Sequence, residues 1–171
     1  MHRLVRALGA LIAAPLDAGS EWFEPSSLQV TSVDVGNPAS NVIPGVAHAR
    51  LNIRFNDHHS SASLTEHLRR TLVEHAPDHD LAVSVSGEWF LTEPGAGVRT
   101  LVHAIEQATC LTPKLDTGGG TSDARFIARL CPVAEFGAIG STMHKVDESV
   151  PVEELRALAG VYRVIIGAFL P

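Results

Sequence analysis

Polar and apolar positions alternate most regularly between Ala47 and Phe55. Ala47, Ala49, Leu51, Ile53 and Phe55 fall on one side, and His48, Arg50, Asn52 and Arg54 on the other. This period of two predicts a half-buried strand. Leu28 and Val30 alternate in the same way, and so do Val33 and Val35, but the parity shifts by one near Thr31 and Ser32. A strand over 28–35 that contains a β-bulge accounts for that shift. Leu81, Val83 and Val85 predict a third strand ending at Gly87, and the run 133–139 reads as a buried strand. Helical spacing takes over elsewhere. Leu4, Val5, Leu8, Leu11 and Ile12 stripe a helix over 2–14, and Leu64, Leu68, Leu72 and Val73 stripe one that runs to about Ala76. Ser61 or Ser63 is the expected cap of the latter. Val98, Leu101, Val102 and Ile105 mark another helix, Phe126 and Ile127 a short one. Leu155, Leu158, Tyr162, Ile165 and Phe169 mark a last helix from near Val152. The loop from Pro15 to Pro25 is expected to bring Trp22 and Phe23 onto the core.

Up to Gly87 the order is helix, strand, strand, helix, strand. A ferredoxin-like sandwich runs βαββαβ, so the order fits an α/β (α+β) fold of that type without its first strand. In that topology the first strand is central, between the third and the fourth. Thr92-Glu93-Pro94-Gly95 has the composition of a boundary and divides the chain into 1–91 and 92–171. The first helix opens without a cap. The expectation is therefore that these residues are the back part of a longer protein, or that a strand is supplied from elsewhere.

With 171 residues, 45% apolar and 19% charged, the chain can build a real core. Thirteen Lys and Arg against nineteen Asp and Glu leave a net charge of -6, which disfavours nucleic acid as a partner. No apolar run reaches the ~20 residues of a membrane span. Cys110 and Cys131 form no CxxC pair, which excludes a cysteine-based zinc site and fits free thiols in a cytoplasmic setting. The first residues show no signal-peptide order of charge, apolar core and cleavage site.

Two segments carry candidate chemistry. Gly118-Gly119-Gly120-Thr121-Ser122-Asp123 leads into the short helix. Its glycines admit a ligand close to the backbone, and the helix start offers free N–H groups to an anion. Without the GK[ST] ending of a phosphate loop, a carboxylate fits better than a triphosphate; an ordinary strand-to-helix turn fits equally well. His144, in the polar stretch 141–148, could serve as a metal ligand. A lone histidine in such a loop is more often simply solvated, and zinc needs three or four protein groups. Asn56-Asp57-His58-His59 and His75-Ala76-Pro77-Asp78-His79-Asp80 look like metal clusters, yet each lies in a turn beside a helix, where polar residues belong. Glu153 and Glu154 fall in a first helical turn and complement its dipole. Arg50 and Arg54 share a strand face with His48 and Asn52, and Asn41 approaches on the same side. Under a cleft, Arg54 would suit a bidentate carboxylate contact; in the open, the face is solvated.

Four segments in order, 39–45, 52–55, 119–126 and 143–148, resemble motifs of the di-zinc aminoacylase and carboxypeptidase-type metallohydrolases and cover nearly the whole chain. The resemblance implies a zinc-binding α/β catalytic domain interrupted by a ferredoxin-like dimerisation domain. Residues 1–91 would be that insert without its first strand, and 92–171 the C-terminal return into the catalytic domain. It implies that His144 is a zinc ligand, and that Asn41 and Arg54 reach substrate, commonly across a homodimer. Gly119, Gly120, Thr121 and Ser122 would line a substrate-carboxylate pocket. It also implies two zinc ions in the whole enzyme, of which these residues hold at most one ligand. The remaining His, bridging Asp and two Glu ligands, the general-base Glu and the insert's oxyanion-binding His have no counterpart here. No catalytic residue is expected within this chain, nor activity from it alone. The implied reaction is zinc-assisted amide hydrolysis that frees a succinyl group from a small dicarboxylate substrate. An acetyl-removing relative and a non-catalytic dimerisation module are the alternatives.

Overall fold

The computed structural model describes residues 1–118 and 122–170. Its elements are α1 (His2–Ile12), β1 (Ser27–Asp34), β2 (His48–Arg54), α2 (Ser61–His75), α3 (Ala96–Thr109), α4 (Ala124–Ile127) and α5 (Val152–Phe169). They fall into two compact units. One comprises Met1–Phe90 with 116–118, the other Leu91–Leu115 with 122–170. The expected mixed helix-and-strand class holds.

In the first unit, β1 and β2 pair antiparallel, and the register slips between Val30 and Ser32. Thr31 is the extra residue. Before it Leu28 faces Ile53 and Val30 faces Leu51; after it Val33 faces Ala49. Directly opposed residues share a face, so the bulge keeps Val33 in line with the apolar side although the sequence parity changes. The other face pairs Ser27 with Arg54, Gln29 with Asn52, Ser32 with Arg50 and Asp34 with His48.

Helix α1 packs on α2. Ala7, Leu72 and Ala76 form the core between them, and Leu81 packs against it. Ala7 is fully enclosed, and its small side chain lets the two helices approach. Val5, Ile12 and Val73, assigned to the inner stripes from their spacing, are more than half exposed, because the buried arc of each helix is narrower than its apolar stripe. The cap of α2 is Ser60, not Ser61 or Ser63. Ser60 Oγ accepts from Ser63 N (3.1 Å), and Ser63 Oγ accepts from Ser60 N (2.9 Å). This reciprocal pair satisfies two otherwise orphaned donors.

The strand expected over 81–87 carries no ladder among the described residues. Alternation supplies a strand's faces, but only a neighbour supplies its hydrogen bonds. The segment is instead held at its ends. Leu81 meets the α1–α2 core, Glu88 accepts from Ser61 N (3.2 Å), and Trp89 Nε1 donates to His59 O (3.0 Å). Phe23 meets the Trp89 ring edge-on at 5.8 Å.

In the second unit α3 packs along α5, with Ala104, Ile105 and Val161 buried. Leu155, Tyr162 and Phe169, expected inside, are about half exposed. The strand expected over 133–139 also lacks a ladder among the described residues. Its backbone leans on side chains instead. Val133 N donates to Thr92 Oγ1 (3.0 Å), Tyr162 OH donates to Phe136 O, and Ile139 N donates to Glu154 Oε1 (2.6 Å).

Candidate functional site

In the first unit, Arg54 is the last residue of β2 and is exposed, opposite Ser27. Arg50 projects from the same polar face. Asn41 is exposed in the β1–β2 connection. Asn37, part of the Gly36-Asn37-Pro38 stretch whose composition predicts a turn, shapes that connection. Its Nδ2 donates to Val42 O (2.7 Å), and its Oδ1 accepts from Ala39 N (3.2 Å). One asparagine thus closes the turn that presents Asn41, the local backbone bonding this residue type favours.

The histidine pair 58–59 belongs to a different arrangement. Asp17 is its centre. Its carboxylate accepts from Gly19 N (2.7 Å), Ser26 N (3.2 Å) and Asn56 Nδ2 (2.7 Å), and His59 Nε2 lies 3.1 Å away. Asn56 N donates to Ser26 Oγ, and His58 Nε2 meets Gly19 O at 2.9 Å. Burial alone would raise the Asp17 carboxyl pKa; hydrogen bonds from Ser26, Gly19 and Asn56 outweigh it and hold the group well below the ordinary carboxylate range. This junction ties the 15–26 loop to the turn between β2 and α2. The sequence did not point to Asp17, whose partners lie up to 42 positions away.

In the second unit, His144 is exposed, with φ of 64° in the left-handed region. Asp147 has φ of 61°. For residues other than glycine this conformation costs about 1–2 kcal/mol, so the loop must be closed by other bonds. Thr142 Oγ1 donates to Ser149 O (2.7 Å) and accepts from Ser149 N (3.0 Å), and Lys145 Nζ donates to Ser141 O (2.7 Å). A net of about 1 kcal/mol per hydrogen bond is enough to offset that strain. Glu154 keeps its place in the first turn of α5, but it also anchors the start of this loop through Ile139.

Ser122 is half-buried, and its Oγ accepts from Ala124 N (3.1 Å). Asp123 stands at the cap position of α4 without a side-chain cap bond. Helix α4 is only four residues long, so any attraction for an anion at its start comes from local N–H groups rather than from a macrodipole. Gly119, Gly120 and Thr121 lie outside the described residues. Among the described residues no three His, Cys, Asp or Glu side chains stand together as a metal site.

Residues 1–80 match the family model of the peptidase dimerisation domain. That match ends shortly after α2 and covers just under half of the chain. Over nearly its whole length the chain is similar to proteins named succinyl-diaminopimelate desuccinylase. It is 60% identical to that of Acidiphilium cryptum (strain JF-5) over 97% of this chain and 45% of the relative. It is 57% identical to that of Gluconacetobacter diazotrophicus over 97% and 43%, and 52% identical to that of Caulobacter vibrioides over 95% and 43%. The chain therefore spans less than half the length of these curated relatives. They agree with the resemblance carried by the four motifs.

Proposed function

We propose that these residues are the dimerisation domain and the C-terminal catalytic segment of a succinyl-diaminopimelate desuccinylase. The observation that carries the reading is the identity of up to 60% across both units to proteins of that name. The reaction is hydrolysis of N-succinyl-LL-2,6-diaminopimelate. The amide C–N bond breaks, the oxygen of water goes to the succinyl carbonyl carbon, and its protons go to the amine. The products are succinate and LL-2,6-diaminopimelate, on the route to lysine and cell-wall peptide in the cytoplasm.

In this reading 1–91 is the dimerisation domain and 92–171 the catalytic segment. Arg54 and Asn41 bind substrate carboxylates, as do Gly119, Gly120, Thr121 and Ser122. Arg54 is suited to the task, since its guanidinium is always charged and matches a carboxylate with two parallel donors. His144 is the one zinc donor. The described residues do not close a metal site by themselves, so the other donors come from outside them. When bound, zinc lowers the pKa of a water and polarises the amide carbonyl. The peptidase dimerisation match supports a homodimer. Sedimentation that finds only monomer at micromolar concentration would count against the pairing.

The test is a competition assay on an enzyme that joins these residues to the zinc-binding segment of a relative, with N-succinyl-diaminopimelate and N-acetylornithine together. Succinate release is expected to dominate and to vanish in His144→Ala, and the 171-residue chain alone should release none. Preferential acetate release overturns the substrate assignment. Zinc-dependent turnover by the chain alone, above its own His144→Ala control, overturns the donor count.

A further inference from the structure

The loop around His144 is closed by one hydroxyl. Thr142 Oγ1 engages both backbone polar groups of Ser149, donating to its carbonyl and accepting from its amide. Between these two positions lie His144 and Asp147, both left-handed. One tight turn leads into the bracket, with Met143 N donating to Gly140 O (3.1 Å), and another opens it, with Lys145 N donating to Thr142 O (3.0 Å). Left-handed backbone at a residue with a Cβ persists only where the surrounding chain over-determines it. The backbone conformation in turn sets the direction of the Cα–Cβ bond, and with it the arc the imidazole can sweep.

We propose that Thr142 is the positioning residue of His144. By clasping Ser149 it holds His144 left-handed and so fixes where the imidazole leaves the loop. The proposal rests on the reading of His144 as a donor and adds a residue that touches neither metal nor substrate. Ile139, held by Glu154 of α5, gives the loop a second fixed point on its N-terminal side.

NMR on the full 171-residue chain tests this. A left-handed residue brings its amide proton close to its own Hα, which gives a strong intraresidue cross-peak. That peak is expected at His144 in the wild type and in Thr142→Ser, which keeps the hydroxyl. In the near-isosteric Thr142→Val it should drop to the level of right-handed residues. A strong peak surviving in Thr142→Val, or lost in Thr142→Ser, overturns the proposal. Should Thr142→Val fail to fold, amide exchange in the wild type decides. Ser149 should exchange more slowly than its neighbour Glu148, and equal rates overturn the clasp. Neither readout involves metal. A failure here leaves the donor reading of His144 standing, and a failure of that reading leaves the clasp standing.

Discussion

His58 and His59 in the first unit and His144 in the second sit in polar turns that lead into a helix, yet their surroundings are opposite. His59 points into a buried carboxylate that already accepts from two backbone amides and an asparagine. His58 reaches a backbone carbonyl. His144 has no hydrogen bond to its ring among the described residues, and it occupies a backbone region that disfavours any side chain. The first pair is consumed in holding the fold. The second histidine is held by the fold and left unspent. The histidine-rich run at 58–59 is thus engaged in the fold, whereas His144 keeps an exposed imidazole on left-handed backbone.

The comparison breaks most easily at Asp17. Asp17→Ala strands several donors at once, so the chain should lose about 3 kcal/mol in urea unfolding. A loss below about 1 kcal/mol would mean that the junction is ornamental. Acid sharpens the same point. The folded-state pKa of Asp17 lies below its unfolded value, near 4 for an ordinary aspartate. Its stabilisation is therefore complete above about pH 4 and drains away as the pH falls toward the lower folded value. The urea midpoint of the wild type should drop more steeply between about pH 4 and pH 2 than that of Asp17→Asn. The smallest effect is expected at His144. In His144→Gly, relief of the left-handed strain, about 1 kcal/mol, opposes the added freedom of the unfolded glycine, about 0.5–1 kcal/mol. The unfolding free energy should then change by no more than about 0.5 kcal/mol. A large loss would return His144 to the structural class.

Much of this was legible in the chain. The parity change at Thr31 revealed the bulge because the hydrophobic face must stay continuous across it. The leucines of α2 gave its axis because they recur at helical spacing. What escaped was what depends on a second segment. The 81–87 and 133–139 runs have strand-like faces, but a ladder belongs to a pair. Asp17 is an unremarkable loop acid until folding brings Ser26, Asn56 and His59 to it. Ser60 rather than its neighbours caps α2 because the cap is decided by which backbone amide a hydroxyl meets. The zinc-donor and substrate roles rest on motif likeness; periodicity and spacing gave an open choice between ligand and solvated loop.

The slipped register at Thr31 has a practical corollary for anyone re-engineering the hairpin. All seven cross-strand partnerships skip that residue, so excising it would yield an uninterrupted ladder in which every surviving side chain keeps its side of the sheet. Excising Val30 instead would draw Thr31 into the row opposite Leu51 and trade an isopropyl group for a hydroxyl on the greasy side. Frame tolerance in this hairpin is thus concentrated at a single position, and grafts or deletions should be cut there.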